Sequence, residues 1–433
     1  MPITLNRRWR VLLRRHGPAS AVWRRRIAMG AGAVTVGLAA LLFARMADEA
    51  SRAFSAVAAS HHYWPLVITP LGFAAIAALT RLVAPEAAGS GIPQVIAAAH
   101  DVKKAARILI SLKAGLLKCL FTVAALLCGA SVGREGPTVQ VSAAVMTVYH
   151  RVLRAPMRSS MIIAGGAAGV AAAFNTPLAG VTFAIEELAD AYEQRVALLV
   201  MTTILIAGVV SLGLSGDYIY FGVVGQTMNV GAVLRVAPVA GVLGGLTGGL
   251  FARAMLGAGA AKRRWLPFLD KRPVLWALIC GLAVAAIGVA TGLTWGTGYS
   301  AARAIIDGTN APWWFGPAKF GSTLATAAGG LPGGIFAPSL ATGSGLGAIL
   351  RVIFPDDPGG AVVLLGMVAY FTGVVRAPLT AVIIIVEATA SRGLILPLFL
   401  AALIAHAVSA LVCKERLYHG LARPWREKLA GSG

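Results

Sequence analysis

The sequence predicts an all-α polytopic membrane protein built from two inverted repeats of broken and tilted helices. Of its 433 residues, 58% are hydrophobic and only 13% are charged, and the mean hydropathy is +0.77. Because soluble domains carry roughly a quarter charged residues, this composition excludes a soluble enzyme. Apolar segments near the ~20 residues that a helix needs to cross a bilayer recur along the chain. The 51 glycines favour the same class, since small residues let membrane helices pack closely.

The positive charge of the chain is concentrated between the apolar segments. The 38 Lys and Arg residues exceed the 17 Asp and Glu residues, which gives a net charge of +21. A basic patch on a soluble face would indicate nucleic acid, but basic loops between apolar segments indicate the cytoplasmic side of a membrane protein. We therefore expect no nucleic-acid partner, two cytoplasmic termini and an even number of crossings. The clusters are Arg7, Arg8, Arg10, Arg14, Arg15, Arg24, Arg25, Arg26; Lys103, Lys104, Arg107; Arg151, Arg154, Arg158; Lys262, Arg263, Arg264, Lys271, Arg272; Lys414, Arg416, Arg423, Arg426 and Lys428.

Eleven apolar segments follow one another, and their lengths are irregular. The first one favours an uncleaved helix over a signal peptide, because a long basic stretch precedes it and further spans follow. Several segments contain Gly and Pro, which a membrane tolerates only where the freed backbone faces protein or a polar cavity. Such interrupted helices indicate a binding site near the midplane. The segments are 27–46, 64–84, 106–132, 138–150, 160–188, 196–214, 236–258, 273–295, 318–354, 360–390 and 393–413.

An internal repeat is the strongest pattern in the chain. Four pairs of motif residues lie 201 positions apart without a gap: Gly133 and Gly334, Pro137 and Pro338, Pro177 and Pro378, Glu186 and Glu387. Because inverted repeats are common in secondary transporters, we expect the two halves to be inverted. The predicted units are a basic cytoplasmic segment 1–26, a first membrane repeat 27–215, a connecting segment 216–235, a second membrane repeat 236–420 and a cytoplasmic tail 421–433.

Three Gly-Pro strings inside apolar surroundings indicate an anion site. They are GSGIP at 89–93, GREGP at 133–137 and GGIFAP at 333–338. Gly permits close approach of the backbone, and Pro suits the first turn of a helix. Helices that begin there would point free N–H groups and their positive dipole ends inward, which binds an anion without a full positive charge. The hydroxyls of Ser90 and of Tyr418, which follows the last apolar segment, can add donors of moderate strength.

Acidic residues in membrane segments are costly and usually functional. Glu135 lies between Gly133 and Gly136 at a predicted helix start, where its carboxylate can occupy the anion site and leave when protonated; the alternative is neutralisation by Arg134. Glu186 and Glu187 are about 100° apart on a helix, so they face different surroundings. Glu186 shares its repeat position with Glu387, which leaves Glu187 as the candidate for function; the alternative for Glu187 is a solvated helix end.

The remaining titratable residues carry weaker signals. His61, His62, His100, His150 and His419 lie in or beside predicted loops without metal-ligand spacing, and His406 is expected to be a packing residue. Cys119, Cys128, Cys280 and Cys413 lack CxxC spacing, so we expect neither disulfides nor a zinc site. No nucleotide loop, nucleophile elbow or HExxH motif is present. The chain is therefore expected to be no enzyme and to need no metal or cofactor.

With these motifs in place, the sequence resembles the CLC family of chloride channels and chloride/proton antiporters from about residue 30 to 425. GSGIP, GREGPTVQ, AAFNTPLAG with IEE, GGIFAP and the late Tyr occur in the family's order. The resemblance, to the bacterial type without C-terminal regulatory domains, implies a homodimer in which each subunit has its own anion pathway. It also implies a CLC-like arrangement of the two inverted halves.

The resemblance further implies the roles of individual residues. Ser90 and Tyr418 would donate hydroxyls to a central chloride, and the amides of Ile335 and Phe336 would complete the site. Glu135 would be the gate and the external proton-transfer group, and Glu187 the internal one, a position that channel members usually fill with an apolar residue. The implied selectivity filter comprises Gly89, Ser90, Gly91, Ile92, Pro93, Gly133, Arg134, Glu135, Gly136, Pro137, Gly334, Ile335, Phe336, Ala337 and Pro338.

Two positions refine what the resemblance implies about the anion, and two others depart from the family pattern. Ser90 is similar to the chloride-selective members, whereas nitrate-preferring relatives carry Pro there. Pro137 differs from the Thr of the fluoride-exporting branch. Gln94 and Ile96 depart from some bacterial members, which carry acids after GSGIP. These departures leave the anion site intact and concern the electrostatics of the intracellular side and the proton entrance.

The leading interpretation is secondary active transport of chloride coupled to proton countertransport in a bacterial inner membrane. A passive voltage- or pH-gated chloride channel of the same fold is the alternative, because a pair of glutamates is necessary but not sufficient for coupling. A membrane scaffold that transports nothing would predict no dependence of any flux on Ser90 or Tyr418. The lipid bilayer, chloride and protons are the expected surroundings and cargo.

Overall fold

The computed structural model describes residues 7–188, 194–216 and 219–431, and side chains within these ranges except at 7–20 and 194–196. Parts of the predicted segments 1–26, 27–215, 216–235 and 421–433 lie outside the described residues. All regular elements in the described part are helices. The α-helices are α1 Arg7–Ser60, α2 Pro65–Val83, α3 Ile92–His100, α4 Val102–Ala105, α5 Leu112–Leu127, α6 Glu135–Val152, α7 Ser159–Phe174, α8 Pro177–Phe183, α9 Gln194–Ser215, α10 Val230–Trp265, α11 Pro267–Asp270, α12 Pro273–Thr291, α13 Tyr299–Ile306, α14 Phe315–Ala328, α15 Phe336–Ile353, α16 Gly359–Val375, α17 Pro378–Thr389, α18 Ile395–Val412 and α19 Leu417–Gly431. Short 3-10 helices lie at Pro85–Ala87 and Arg392–Leu394, and a π-helical turn at Ala184–Leu188 follows α8.

Helices of different lengths build the membrane domain. In the described residues, seven helices are long and apolar enough to cross a bilayer. Others are shorter and buried in protein, as α16 is along almost its whole length. The seven are Ala21–Ser60, Pro65–Val83, Ala197–Ser215, Val230–Trp265, Pro273–Thr291, Phe336–Ile353 and Arg392–Val412. Helix α1 runs continuously through residue 27, and α10 already begins at Val230.

The long apolar segments break into helix pairs at equivalent points of the two halves. Between α7 and α8, Asn175 adopts a left-handed backbone conformation (φ 57°), and α8 begins at Pro177. Between α16 and α17, Arg376 does the same (φ 58°), and α17 begins at Pro378. A left-handed residue ends a helix and a proline at the first position starts the next, so the sequence itself sets each break.

Reciprocal contacts relate the two halves by a local two-fold rotation. Gly133 and Gly334 form an antiparallel bridge in which each N–H donates to the carbonyl of the other at 2.7 Å. Equivalent residues that contact each other in both directions are the signature of a two-fold axis. Because the bridge is antiparallel, equivalent segments run in opposite directions, as an inverted repeat requires.

A second set of contacts repeats this symmetry away from the bridge. The Glu186 carboxylate accepts the N–H groups of Leu379 and Thr380, at 3.2 and 2.7 Å. The Glu387 carboxylate accepts those of Leu178 and Ala179, at 3.1 and 2.7 Å. Each acid thus caps the first turn of a helix in the other half, where a negative charge is favourable. The predicted fold class, an all-α membrane protein with two inverted repeats of broken helices, is confirmed.

Candidate ion pathway

The three Gly-Pro strings meet beside the bridge. Helices α3, α6 and α15 begin at Ile92, Glu135 and Phe336, within the predicted strings. A Cβ atom on Gly136 would lie 2.5 Å from Ser90 Oγ, and the Gly333 N–H donates to the Gly89 carbonyl at 3.1 Å. The backbones approach so closely that glycine is required at position 136. The structure thus brings together the strings that are far apart in sequence.

Unused N–H groups lie at the start of α15. No acceptor among the described residues takes the N–H groups of Ile335 and Phe336, and both residues are almost fully buried. Unpaired buried N–H groups are rare in folded proteins and call for a partner. A helix N-terminus that offers such groups suits an anion.

The Glu135 carboxylate lies at this same helix start. Its side chain is fully buried; Oε2 makes a long contact of 3.5 Å with the Ala337 N–H, and Oε1 has no partner among the described residues. Arg134 does not neutralise it by an ion pair: its guanidinium pairs instead with Asp48 at 2.6 Å and donates to the Ala44 carbonyl at 2.8 Å. The acid therefore lies at the helix start whose free N–H groups suit an anion.

The hydroxyls of Ser90 and Tyr418 are buried near each other without a well-formed hydrogen bond to the described residues. The Tyr418 ring packs against Phe336 with ring centroids 5.8 Å apart. Buried hydroxyls normally find a partner. The two unpaired hydroxyls and the free N–H groups at the start of α15 together form a set of donors able to surround a small anion.

Glu187 is buried at a different place, near the start of α19. Neither carboxylate oxygen has a hydrogen-bond partner among the described residues, although the Arg416 guanidinium lies 3.9 Å away and His419 Nδ1 3.5 Å away. The Glu187 side chain is 1% exposed and the His419 side chain 27% exposed. His419 therefore connects a buried acid with the surface. Sequence reasoning missed it, because only folding brings α19 next to Glu187.

Gln94, the departure noted in the sequence, organises the GSGIP loop. Its Oε1 accepts the Gly91 N–H at 3.1 Å, and its Nε2 donates to the Ala88 carbonyl at 2.7 Å. Ile96 is buried in the hydrophobic core. Both residues thus serve packing and loop geometry in the structure.

Two buried lysines were also missed by sequence reasoning. Lys118 and Lys319 are both fully buried. Lys118 Nζ donates to the carbonyls of Ala88 and Gly89 at 3.2 and 2.6 Å. A detectable signal existed, since the two lysines lie 201 positions apart, at the same offset as the four motif pairs.

Two cavities open near the bridge. One, of about 200 Å³, is lined by Ser90, Ile335 and Trp425 among others. The other, of about 450 Å³, is lined by Arg134, Asp48 and the loop of residues 296–298 among others. We call them the Ser90 cavity and the Thr297 cavity. Arg134, which precedes Glu135 in the chain, lines the Thr297 cavity.

Comparison with known proteins gives sequence relatives for most of the chain. The H(+)/Cl(-) exchange transporter ClcA of Vibrio cholerae serotype O1 is 31% identical over 372 residues, 79% of this chain and 75% of the relative. The H(+)/Cl(-) exchange transporter ClcA of Cronobacter sakazakii is 30% identical over 416 residues, 89% of this chain and 86% of the relative.

Solved structures show the same fold at lower identity. A slow cyanobacterial Cl−/H+ antiporter superposes with a TM-score of 0.80 and 23% identity, covering 94% of this chain and 98% of the other. A CLC-type fluoride/proton antiporter gives a TM-score of 0.74 and 23% identity, covering 89% and 96%.

The family model described as voltage gated chloride channel matches residues 71–410, which include the GSGIP, GREGP and GGIFAP strings and Glu187. This match covers well over half of the chain and agrees with the relatives and with the fold. The resemblance noted in the sequence is therefore confirmed: the chain belongs to the voltage-gated chloride channel family, CLC.

Proposed function

We propose that the protein is a secondary active transporter that exchanges chloride for protons across the membrane. Relatives at 30–31% identity over most of the chain are named H(+)/Cl(-) exchange transporters. Both acids that such exchange needs, Glu135 and Glu187, are present and buried. The observation that carries the proposal is the Glu135 carboxylate at the N-terminus of α15, where it and a chloride would compete for one site.

The anion step follows from this competition. With Glu135 ionised, its carboxylate occupies the α15 start and excludes chloride. Protonation removes the charge that holds the carboxyl there, so the side chain leaves and chloride enters. Ser90, Tyr418 and the N–H groups of Ile335 and Phe336 then bind chloride without a full positive charge, which keeps release fast.

The proton step uses the second acid. Glu187 exchanges protons with the cytoplasm through its contact with His419, whose ring is partly exposed. An imidazole ring can accept a proton on one nitrogen and donate one from the other, so it is suited to relay protons. Glu135 exchanges protons on the opposite side. Because the two acids take up protons at separate places, proton and chloride routes share only the central region.

The remaining assignments belong to the same proposal. The strings at 89–93, 133–137 and 334–338 form the selectivity filter, and Ser90 favours chloride. The protein acts as a homodimer in a bacterial inner membrane with both termini in the cytoplasm. Its membrane repeats are 27–215 and 236–420, joined by 216–235 and flanked by 1–26 and 421–433. No metal or organic cofactor takes part, and no chemical reaction is catalysed.

Proton movement in proteoliposomes tests the function. Purified protein is reconstituted in chloride-loaded vesicles with an imposed chloride gradient and no initial pH difference. We expect protons to move uphill, driven by chloride. In Glu187→Ala the proton movement should vanish while chloride flux persists.

Other outcomes would change the assignment. Chloride flux without proton movement in the unmodified protein would make it a passive channel of the same fold. A protein that carries no anion flux, and whose vesicles behave the same after substitution of Ser90 or Tyr418, would be a membrane scaffold.

A further inference from the structure

The GSGIP loop has a counterpart in the second half of the chain. Residues 89–91 read Gly-Ser-Gly and residues 296–298 read Gly-Thr-Gly, 207 positions apart. In both loops each glycine has a positive φ, 68° and 108° in the first and 59° and 79° in the second. A helix follows each loop directly, α3 at Ile92 and α13 at Tyr299. The two loops therefore share sequence, backbone conformation and position before a helix.

The two buried lysines hold these loops in the same way. Lys118 Nζ donates to the Gly89 carbonyl at 2.6 Å, and Lys319 Nζ donates to the Gly296 carbonyl at 2.7 Å. Lys319 also donates to the Thr294 carbonyl at 2.9 Å. An ammonium group in a membrane protein is costly and usually serves function. Each lysine draws backbone carbonyls of its loop towards its amino group and so fixes the loop from behind.

The loops line different cavities. Gly89 and Ser90 line the Ser90 cavity, whereas residues 296–298 line the Thr297 cavity. The two-fold axis at the Gly133–Gly334 bridge exchanges the two halves, so the equivalent loops approach the bridge from opposite directions. The packing agrees with this symmetry: a Cβ atom on Gly91 would meet Gln140 of α6, and one on Gly298 would meet Ala341 of α15, 201 positions later. Thr297 therefore holds, relative to the bridge, the position in the second half that Ser90 holds in the first.

The second loop has free hydrogen-bond donors. Its Gly298 N–H corresponds to the Gly91 N–H, which the first loop uses in an internal hydrogen bond. Thr297 Oγ1 accepts the Tyr299 N–H at 3.3 Å, so its own hydroxyl proton is left to donate. The position equivalent to Gln94, which binds the Gly91 N–H, is Ala301. No acceptor among the described residues takes the Gly298 N–H.

The charged groups that line the Thr297 cavity carry more positive than negative charge, which favours an anion. Arg134 has a 6% exposed side chain, and its Nε has no hydrogen-bond partner among the described residues. Asp48 is the carboxylate on this wall; it is bound to Arg134. Arg52 also lines the cavity, and its partner Glu49 lies on the exposed surface. The wall thus carries two guanidinium groups against one carboxylate, with Lys319 behind the loop.

We propose that the Thr297 cavity contains a second anion-binding site, which loads the pathway from the side opposite Ser90. A halide is held there by the Thr297 hydroxyl, the Gly298 N–H and Arg134, and Lys319 fixes the loop. This site rests on the proposed anion transport, because it supplies the same pathway. Apart from Arg134, its residues lie outside the three Gly-Pro strings that form the predicted filter.

Bromide, a halide visible by anomalous diffraction, tests the site in crystals of the full chain, and calorimetric titration with chloride tests it in solution. We expect bromide in both cavities and two components of chloride binding. Thr297→Val should remove bromide from the Thr297 cavity and weaken that component about tenfold or more, since a hydrogen bond to a charged group is lost. Ser90→Ala should affect only the other cavity.

Two further variants keep the result interpretable. Thr297→Ser retains the hydroxyl and should bind as the unmodified protein does, whereas a loss in Thr297→Ser equal to that in Thr297→Val would overturn the proposal. Ser300→Ala removes an exposed hydroxyl from the same cavity wall and should change nothing. Bromide at Ser90 but not at Thr297 would overturn this inference and leave the proposed function intact. Bromide at neither place would overturn both.

Discussion

Glutamate occupies four positions of this membrane domain, and the hydrogen-bond partners of its carboxylate differ among them. Glu186 and Glu387 each accept two backbone N–H groups, which satisfies their charge. Glu135 has one long contact, and Glu187 has no hydrogen-bond partner among the described residues. A buried carboxylate without partners is costly, so the two poorly satisfied acids are the ones suited to gain and lose protons.

Replacing Glu135 with glutamine tests the gate. The amide keeps the shape of a protonated carboxyl but cannot exchange a proton, so chloride should flow while proton movement and its coupling are lost. The measurement is proton and chloride flux in proteoliposomes at several pH values, and chloride flux in the variant should no longer depend on pH. Proton movement with unchanged pH dependence in Glu135→Gln would contradict the scheme.

His419 provides a test of the inner proton route. His419→Gln removes the imidazole ring beside Glu187 and should slow proton movement several-fold, while chloride flux is retained. The exposed His62 is the control, and His62→Gln should leave both fluxes unchanged. Equal loss of chloride and proton flux in His419→Gln would indicate a structural role for the ring.

At the scale of helices, glycines set how closely the central elements approach. Helix α10 crosses α16 so closely that a Cβ atom on Gly248 would lie 2.6 Å from the Tyr370 carbonyl oxygen and from the Gly373 carbonyl carbon. Backbone atoms cannot move aside as a flexible side chain can. Small residues at such crossings are how membrane helices gain contact, because lipid offers no hydrophobic driving force.

A matched pair of alanine substitutions on α10 tests this packing. Gly248→Ala should destabilise the protein by about 1–3 kcal/mol through overpacking. Gly257→Ala lies on the same helix in open space and should be neutral or stabilising, since alanine favours helix. The midpoint of thermal unfolding in detergent measures both, and equal midpoints would refute the close crossing.

At the scale of the molecule, the two halves are clamped together symmetrically. The Glu186 and Glu387 carboxylates each reach into the opposite half, and the Gly133–Gly334 bridge lies at the local two-fold axis. Glu186 also accepts the Thr380 hydroxyl at 2.8 Å. The Gly-Pro strings of the candidate site meet at the bridge between the halves, so these clamps also hold the walls of that site.

Glutamine at either clamp should weaken the assembly of the halves. Loss of a charged acceptor for backbone N–H groups should cost about 1–3 kcal/mol in Glu186→Gln and in Glu387→Gln. The control is Glu49→Gln, which breaks an exposed pair with Arg52 and should cost less than about 1 kcal/mol. Thermal unfolding of the three variants gives the comparison. A loss of stability in Glu49→Gln as large as in Glu186→Gln and Glu387→Gln would contradict the role of these two acids in joining the halves.

Much of the architecture could be predicted because it depends on residues that are close together in the sequence. Hydropathy determined the membrane class, left-handed residues and prolines set helix breaks, and the 201-residue offset indicated two halves before any contact was known. The three Gly-Pro strings and the acids Glu135 and Glu187 were recognisable because glycine, proline and charge are rare together in apolar segments. Their roles in transport remain predictions to be tested by the fluxes above.

Other features depend on contacts between distant parts of the chain, which no local pattern records. The sequence by itself determined the class, the helix breaks, the repeat and the chemistry available to an ion. Only the tertiary structure decided that Arg134 pairs with Asp48, that His419 meets Glu187 and that Lys118 and Lys319 hold matching loops. The physical reason is that a side chain's partner in a membrane protein is set by which helices cross, and crossings join residues hundreds of positions apart.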